Sequence, residues 1–259
     1  MILYSFSTLA LVASSGQPPF EVEDADDAAS DGAASDSSSS GSCRKRPRLA
    51  RPFSTDDTLL LVDWDDTLLP LHWIQQEGLQ LARCSTISER QLLELAGIAA
   101  SAALMLQAAK RLGHVVIVTN AERGWVELSC ARFLPSLFPV LEGTKVVSAR
   151  SSFERRGPSG EGSPTEWKQA AFELEMRRCR GSECGRWINV LSLGDSNHER
   201  EALLSATAGA PDCCAKSVKL LQAPSPWLLR GEHDLVRRRL REIVESFGDL
   251  DLHVREVGE

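Results

Sequence analysis

The sequence predicts an α/β fold: a parallel sheet flanked by helices. Three observations carry that prediction. From about residue 56 onward, short apolar runs alternate with longer stretches of helical periodicity, the pattern of successive βαβ units. Leu59 to Val62 is apolar without interruption, as a strand buried on both faces of a parallel sheet reads. The apolar runs then break into polar residues, at Asp63, at Thr119-Asn120 and at Gly194-Asp195. Open α/β sheets present their ligand groups at such carboxyl ends.

The elements follow in order. A first strand is expected over 58–63. A long helix is expected over approximately 87–112, with Ile87, Leu92, Leu93, Leu95, Ile98 and Leu104 on its apolar side and Gly113 in the place of a C-terminal cap glycine. His114 to Val118 reads as the second strand, 122–132 as a short helix, and Lys145 to Ser148 as a third strand. Residues 150–165 are rich in Gly, Pro and Ser and read as a loop. Ser163 or Thr165 can cap the next helix, with Pro164 or Glu166 in its first turn, and that helix carries Lys168 to about Arg178. Ile188 to Leu193 is a fourth strand and Ser217 to Leu221 a fifth. Leu235, Val236, Leu240, Ile243, Val244 and Phe247 recur at helical spacing, with Arg237, Arg238, Arg239 and Arg241 on the opposite, solvated side.

A chain of 259 residues has ample material for one α/β core plus tails. Its net charge of −7 argues against a general nucleic-acid binder, and no nucleic-acid partner is expected. The seven cysteines form no paired CxxC knuckles, which disfavours a zinc ribbon and fits reduced thiols inside a cell. No unbroken apolar run reaches the roughly 18 residues of a spanning helix, so no membrane span is expected. Residues 1–14 are apolar, but no Lys or Arg precedes them, so secretion is disfavoured. Residues 21–42 are Ser, Ala, Gly, Asp and Glu with too little apolar surface to offset their ordering entropy. The basic cluster 44–48 suits either nuclear import or a solvated linker, which gives a cytoplasmic or nuclear location as the expectation. Residues 1–54 are thus expected as a disordered tail, 55–225 as the folded core, and 226–259 as a helix and tail packed on it.

The polar strand ends combine into one chemistry. Asp63, Asp65 and Asp66 crowd three carboxylates into four residues, which like-charge repulsion opposes unless a cation or shifted protonation relieves it. The second strand offers Thr119, the fourth offers Asp195 with Glu199 a helical turn later, and Lys168 enters from the preceding helix. In a parallel sheet these ends face one crevice. An oxygen-rich cluster suits Mg²⁺, and a metal with a lysine stabilises phosphoryl charge.

In these residues the chain resembles the haloacid dehalogenase-like hydrolase superfamily. Asp63-Trp64-Asp65-Asp66-Thr67 matches its DxDx(T/V) motif, Thr119 its strand-two hydroxyl, Lys168 its lone basic residue, and Gly194 to Glu199 its acidic motif. The motifs stand in family order and span about residues 58–221. The resemblance implies a Rossmann-like core over 55–225 and an Mg²⁺-dependent phosphohydrolase. Asp63 would be the nucleophile that forms an aspartyl-phosphate. Asp65 would be the acid and then the base. Asp63, the backbone carbonyl of Asp65, and Asp195 would hold Mg²⁺, and Thr119 and Lys168 would bind phosphoryl oxygens. Glu199 would support the metal through water or orient Lys168. Two positions depart from the pattern: Asp66 stands where many relatives have Gly, and Glu199 where Asp is more frequent.

The interval between Thr67 and the helix near residue 87 is too short for a full cap domain, as is the 150–165 loop. A capless, open site is therefore expected, taking a phosphorylated small molecule or a phosphoprotein. Asn120 and Arg123, in the loop after the second strand, border it, with Arg123 a candidate for a second anionic group. Trp64, Trp73, Trp125 and Trp167 read as core or rim packing rather than substrate grips. A non-catalytic phospho-ligand module on the same fold, or a phosphotransferase, are the alternatives.

Overall fold

In the computed structural model, residues 8–14, 53–82, 85–154, 162–181 and 188–257 are described. Seven strands form one sheet in the order β1-β7-β6-β5-β2-β3-β4. They are β1 (Thr8–Ala13), β2 (Thr58–Val62), β3 (His114–Thr119), β4 (Lys145–Ser148), β5 (Ile188–Gly194), β6 (Cys213–Lys219) and β7 (Leu250–Val257). All neighbours are parallel except β1, which runs antiparallel to β7. The helices are α1 (Leu71–Gln76), α2 (Glu89–Lys110), α3 (Trp125–Phe133), α4 (Phe138–Leu141), α5 (Ala149–Phe153), α6 (Pro164–Arg180), α7 (Asn197–Thr207) and α8 (Pro226–Glu245).

The apolar run of β2 shows why the sheet is covered twice. Leu60 and Val62 pack with Ile117, Leu191 and Leu193 against α2, α3 and α8. Leu59 and Leu61 pack with Val116, Val118 and Val190 against α6 and α7. Successive side chains of a strand point to opposite faces, so an uninterrupted LLLV feeds both cores. The sheet steps from β2 to β3 and β4 on one side, then resumes with β5 on the other. This is a topological switch point, and the carboxyl ends of β2 and β5 flank it.

Several expectations are corrected. Thr8–Ala13 is an edge strand paired with β7, not part of a structureless tail; the rest of 1–54 lies largely outside the described residues, as does the 44–48 cluster. Leu9 and Leu11 pack on the core, and the bare face of Gly231 on α8 leaves room for Leu9. The C-terminal segment likewise adds β7 after its helix, and that helix starts at Pro226, behind the Ser225 cap. On α2 the buried side is Leu95, Ile98, Ala99, Ala102, Met105 and Leu106, whereas Leu92, Leu93 and Leu104 are exposed. By length and composition alone α2 is apolar enough to cross a membrane, although its inner face packs in this core. The fifth strand is Cys213–Lys219, earlier than expected, because its pattern is broken by the buried Lys216. Phe247 is partly exposed beyond the end of α8. Residues 149–153 are helical, and 155–161 of the expected loop lie outside the described residues. Gly113 does not cap by adopting a left-handed conformation; a Cβ there would lie 2.4 Å from the Thr58 carbonyl oxygen, so its role is close approach to β2.

Candidate active site

Asp63 follows β2 directly, and its backbone N–H donates to the Leu193 carbonyl at 2.9 Å, which ties the carboxyl ends of β2 and β5 together. Its carboxylate accepts from Lys168 Nζ at 2.7 Å. The same ammonium donates to Glu199 Oε1. Lys168 is 1 % exposed, Asp63 7 % and Glu199 4 %. A buried cation thus sits between two buried carboxylates from different elements. Lys168 reaches this position because Ser163 starts α6 with a capping box, its hydroxyl on Glu166 N–H and Glu166 on the Ser163 N–H.

Glu199 is fixed by a second capping box. Ser196 caps α7, and Glu199 Oε2 accepts from the Ser196 N–H and hydroxyl. With Oε1 on Lys168, both oxygens are engaged, so of its two candidate roles the geometry supports orienting Lys168. The pattern Ser196-x-x-Glu199 carries that signal in the sequence. Glycine is needed at 194 because a Cβ there would lie 2.3 Å from Glu199 Cγ.

Asp65 accepts from the indole Nε1–H of Trp125 at 2.8 Å. Thr119, 1 % exposed, lies beside it and accepts from the Ala121 N–H at 3.0 Å. Asp66 has φ +51°, in the left-handed region, and accepts the N–H of His72 in the first turn of α1 at 2.9 Å. This accounts for the departure at that position. The turn requires the backbone that glycine adopts most freely, and Asp tolerates it while capping the following turn.

The electrostatics follow from burial. Desolvation raises Asp63 well above the usual carboxylate range, with Lys168 opposing and Glu199 and Asp65 adding to the rise. Asp65 is pushed up to about 6 by burial, against the Trp125 hydrogen bond. Asp195 is pushed up to about 7 by burial and then by the charges of Glu199 and Asp66. Burial also presses on Glu199, but Lys168 and Ser196 outweigh it and hold its carboxyl below the usual value. Burial disfavours the Lys168 charge, yet Asp63 and Glu199 outweigh it and raise its pKa.

Among the described residues no three His, Cys, Asp or Glu side chains form a closed metal cluster. The donor chemistry nevertheless fits Mg²⁺, which takes one or two carboxylates and keeps several waters. Asp63 and Asp195 are oxygen donors whose charge the surroundings leave under-compensated, and Asp195 has no ion pair among the described residues.

Asn120 and Arg123 follow Thr119 in the loop after β3, and no contact of either with Asp63, Asp65, Lys168 or Asp195 is seen among the described residues. Asn120 Nδ2 donates to the Pro164 carbonyl at 3.3 Å, and its buried Oδ1 has no partner among the described residues. Arg123 is exposed and lines a cavity of about 380 Å³ with Thr119, Ser148, Ser152, Phe153 and Arg178. His198, in the first turn of α7, meets the Thr165 hydroxyl, in the first turn of α6, at 2.9 Å. The sequence reading missed the hydrogen bonds of Trp125, Trp64 and His233. A buried indole or imidazole needs a partner, which is the signal that was available.

No family model and no curated protein sequence matches the chain. Among solved structures, a haloacid dehalogenase-like hydrolase from Burkholderia xenovorans LB400 is similar with 16 % identity and a TM-score of 0.32. The likeness covers 63 % of this chain and 84 % of that one. A likeness at this level leaves function to be read from the site itself.

Proposed function

We propose that the chain is an Mg²⁺-dependent phosphohydrolase of the haloacid dehalogenase-like type, acting on phosphomonoesters at an open site. The observation that carries the reading is the buried Lys168 held between Asp63 and Glu199, with Asp65 two residues beyond Asp63. A lysine enclosed in this way is a fixed positive charge at the base of the crevice, where phosphoryl oxygens need one.

Asp63, Asp195 and the backbone carbonyl of Asp65 would hold the Mg²⁺, which supplies charge neutralisation to the transferring phosphoryl group. Asp63 attacks phosphorus through its carboxylate, while the ester oxygen leaves and takes a proton from Asp65. The product is an aspartyl-phosphate on Asp63. Asp65, now ionised, takes a proton from water, and the oxygen so activated attacks phosphorus. Phosphate leaves, and the Asp63 carboxylate is restored. A carboxyl poised at about 6 serves as both donor and acceptor near neutrality. Lys168 and Thr119 bind the phosphoryl oxygens, and Asn120 and Arg123 meet the remainder of the substrate.

Among the described residues between Thr67 and α2, the chain forms only α1 and its flanking turns. This supports an uncapped site, open to a phosphoprotein as well as to a small molecule. The test is phosphate release from a panel of metabolites and phosphopeptides, with and without Mg²⁺. The wild type is expected to turn over at least one member, and Asp63→Asn none. Binding of phosphorylated panel members without turnover would replace this reading with the binding module.

A further inference from the structure

Two indoles connect the turn after β2 to the start of α3. Trp64, 0 % exposed, donates its Nε1–H to the Ser129 hydroxyl oxygen at 3.0 Å. Ser129 in turn donates to the backbone carbonyl of Trp125 at 2.6 Å. Trp125 returns the connection by donating its own Nε1–H to Asp65 Oδ1 at 2.8 Å. Adjacent residues Trp64 and Asp65 are thereby linked to α3 by a closed circuit of hydrogen bonds. Gly124, at φ +91°, precedes Trp125 and lets the chain turn sharply into the helix.

We propose that Trp125 is a positioning residue for the reaction, holding one oxygen of the Asp65 carboxylate so that the other faces the leaving group, with Trp64 and Ser129 anchoring the helix that carries it. The inference rests on the phosphohydrolase reading. The terminal torsion of a carboxylate is broad and roughly two-fold, so at this strand-end turn its orientation is set by the hydrogen bonds it accepts, the Trp125 indole first and the Thr119 hydroxyl second. An indole donor selects one orientation without adding a charge to the crevice. It does so from a rigid aromatic side chain at the first turn of a helix whose Val126, Cys130 and Phe133 are buried in the core.

The test has two arms, both on the full chain. In the first, the tryptophans carry ¹⁵N and the indole N–H resonance lost in Trp125→Phe is followed. Asp65→Ala is expected to move that resonance more than any of the other five, because it removes the acceptor. An unmoved resonance overturns the proposal. In the second arm, Trp125→Phe is expected to lower kcat by about 10- to 100-fold with KM within about twofold, the range that a misplaced catalytic group produces. The loss in the phosphorylation step should be smaller on an aryl phosphate whose leaving group needs no proton than on an alkyl phosphate. Equal losses on both, or a KM rise with kcat unchanged, overturn it. Should Trp125→Phe fail to fold, Ser129→Ala keeps both indoles and is expected to show the same split at smaller size; its absence also overturns the proposal. A wild type without turnover sinks the phosphohydrolase reading and the positioning role with it, and is recognised because wild type and variants fail alike.

Discussion

Lys168→Met tests whether this lysine is as structural as it is chemical. The substitution keeps the length of the side chain and removes its charge. It leaves Asp63 and Glu199 buried without their shared cation. Asp63 already lies well above the usual carboxylate range and can take up a proton at modest further cost. Glu199 cannot do so as readily, since it would keep only the Ser196 donors in a site that is 4 % exposed. Removing one partner from a buried ion pair costs about 3–5 kcal/mol. For a domain of this size each kcal/mol shifts Tm by about 2–4 °C, so a loss of roughly 6–20 °C near neutral pH is expected. The sign with pH follows from Glu199. Its folded pKa is held below the ordinary 4.5, so its stabilisation is complete above that value and is lost as pH falls through the folded pKa. In the variant the stranded carboxyl takes a proton at higher pH. The deficit should therefore be large near pH 7.5 and shrink toward pH 5. Calorimetry of both proteins across that range is the assay. A variant within about 2 °C of wild type near pH 7.5, or a deficit that stays constant toward pH 5, would refute the reasoning.

Two further predictions concern protons and metal. His233 is fully buried, with Nε2–H donated to the Thr67 carbonyl at 2.8 Å and Nδ1 against the Ser101 hydroxyl, and burial lowers its pKa from 6.5 to about 4. Between those values the unfolded chain binds a proton that the folded chain refuses, so this residue withdraws about 3 kcal/mol of stability as pH falls from 6.5 to 4. His233→Gln should be less stable than wild type near pH 7 and show a flatter loss through that window in denaturant titrations; parallel curves would refute it. Mg²⁺ should raise Tm more near pH 8 than near pH 6, since Asp195 must give up a proton held to about 7. At a hundredfold excess over Kd the gain is about 2.7 kcal/mol, or roughly 5–10 °C, and Asp195→Asn should abolish it.

What was legible in the sequence was whatever local chemistry and period determine. Leu59 to Val62 could be read as a doubly covered strand because no residue in it tolerates water, and both faces of β2 are buried. Asp63, Thr119 and Asp195 could be nominated because each ends or follows such a run, and the parallel register brings them to one switch point, whereas Lys168, inside a helix, was nominated on the family resemblance. Thr8–Ala13 was not legible: an edge strand needs a partner to be a strand, and its partner β7 lies more than two hundred residues away. Nor was the solvent side of α2, where Leu92, Leu93 and Leu104 fit the helical period as well as the residues that are buried. Trp125 was placed near the crevice by sequence, but not its donation to Asp65. A side-chain hydrogen bond between the turn after one strand and the start of a distant helix depends on geometry that spacing does not encode.

The charge balance of the crevice argues for its use. Asp63, Asp65, Asp66, Asp195 and Glu199 cluster around one lysine, and four of the five have their pKa values raised, with burial the largest cause. A fold under selection for stability alone would have little reason to retain them, since apolar residues of similar volume cost less to bury. Glu199 and Asp66 have structural accounts in the Lys168 contact with its capping box and in the left-handed turn. Asp63, Asp65 and Asp195 do not reduce to such accounts. Lys168 covers only one oxygen of Asp63, Asp65 meets the uncharged donors Trp125 and Thr119 rather than a cation partner, and Asp195 has no ion pair among the described residues. The carboxyls left without a structural account are therefore the three that the proposed phosphoryl transfer with a bound cation would use, and their raised pKa values are the cost of burying them without full compensation.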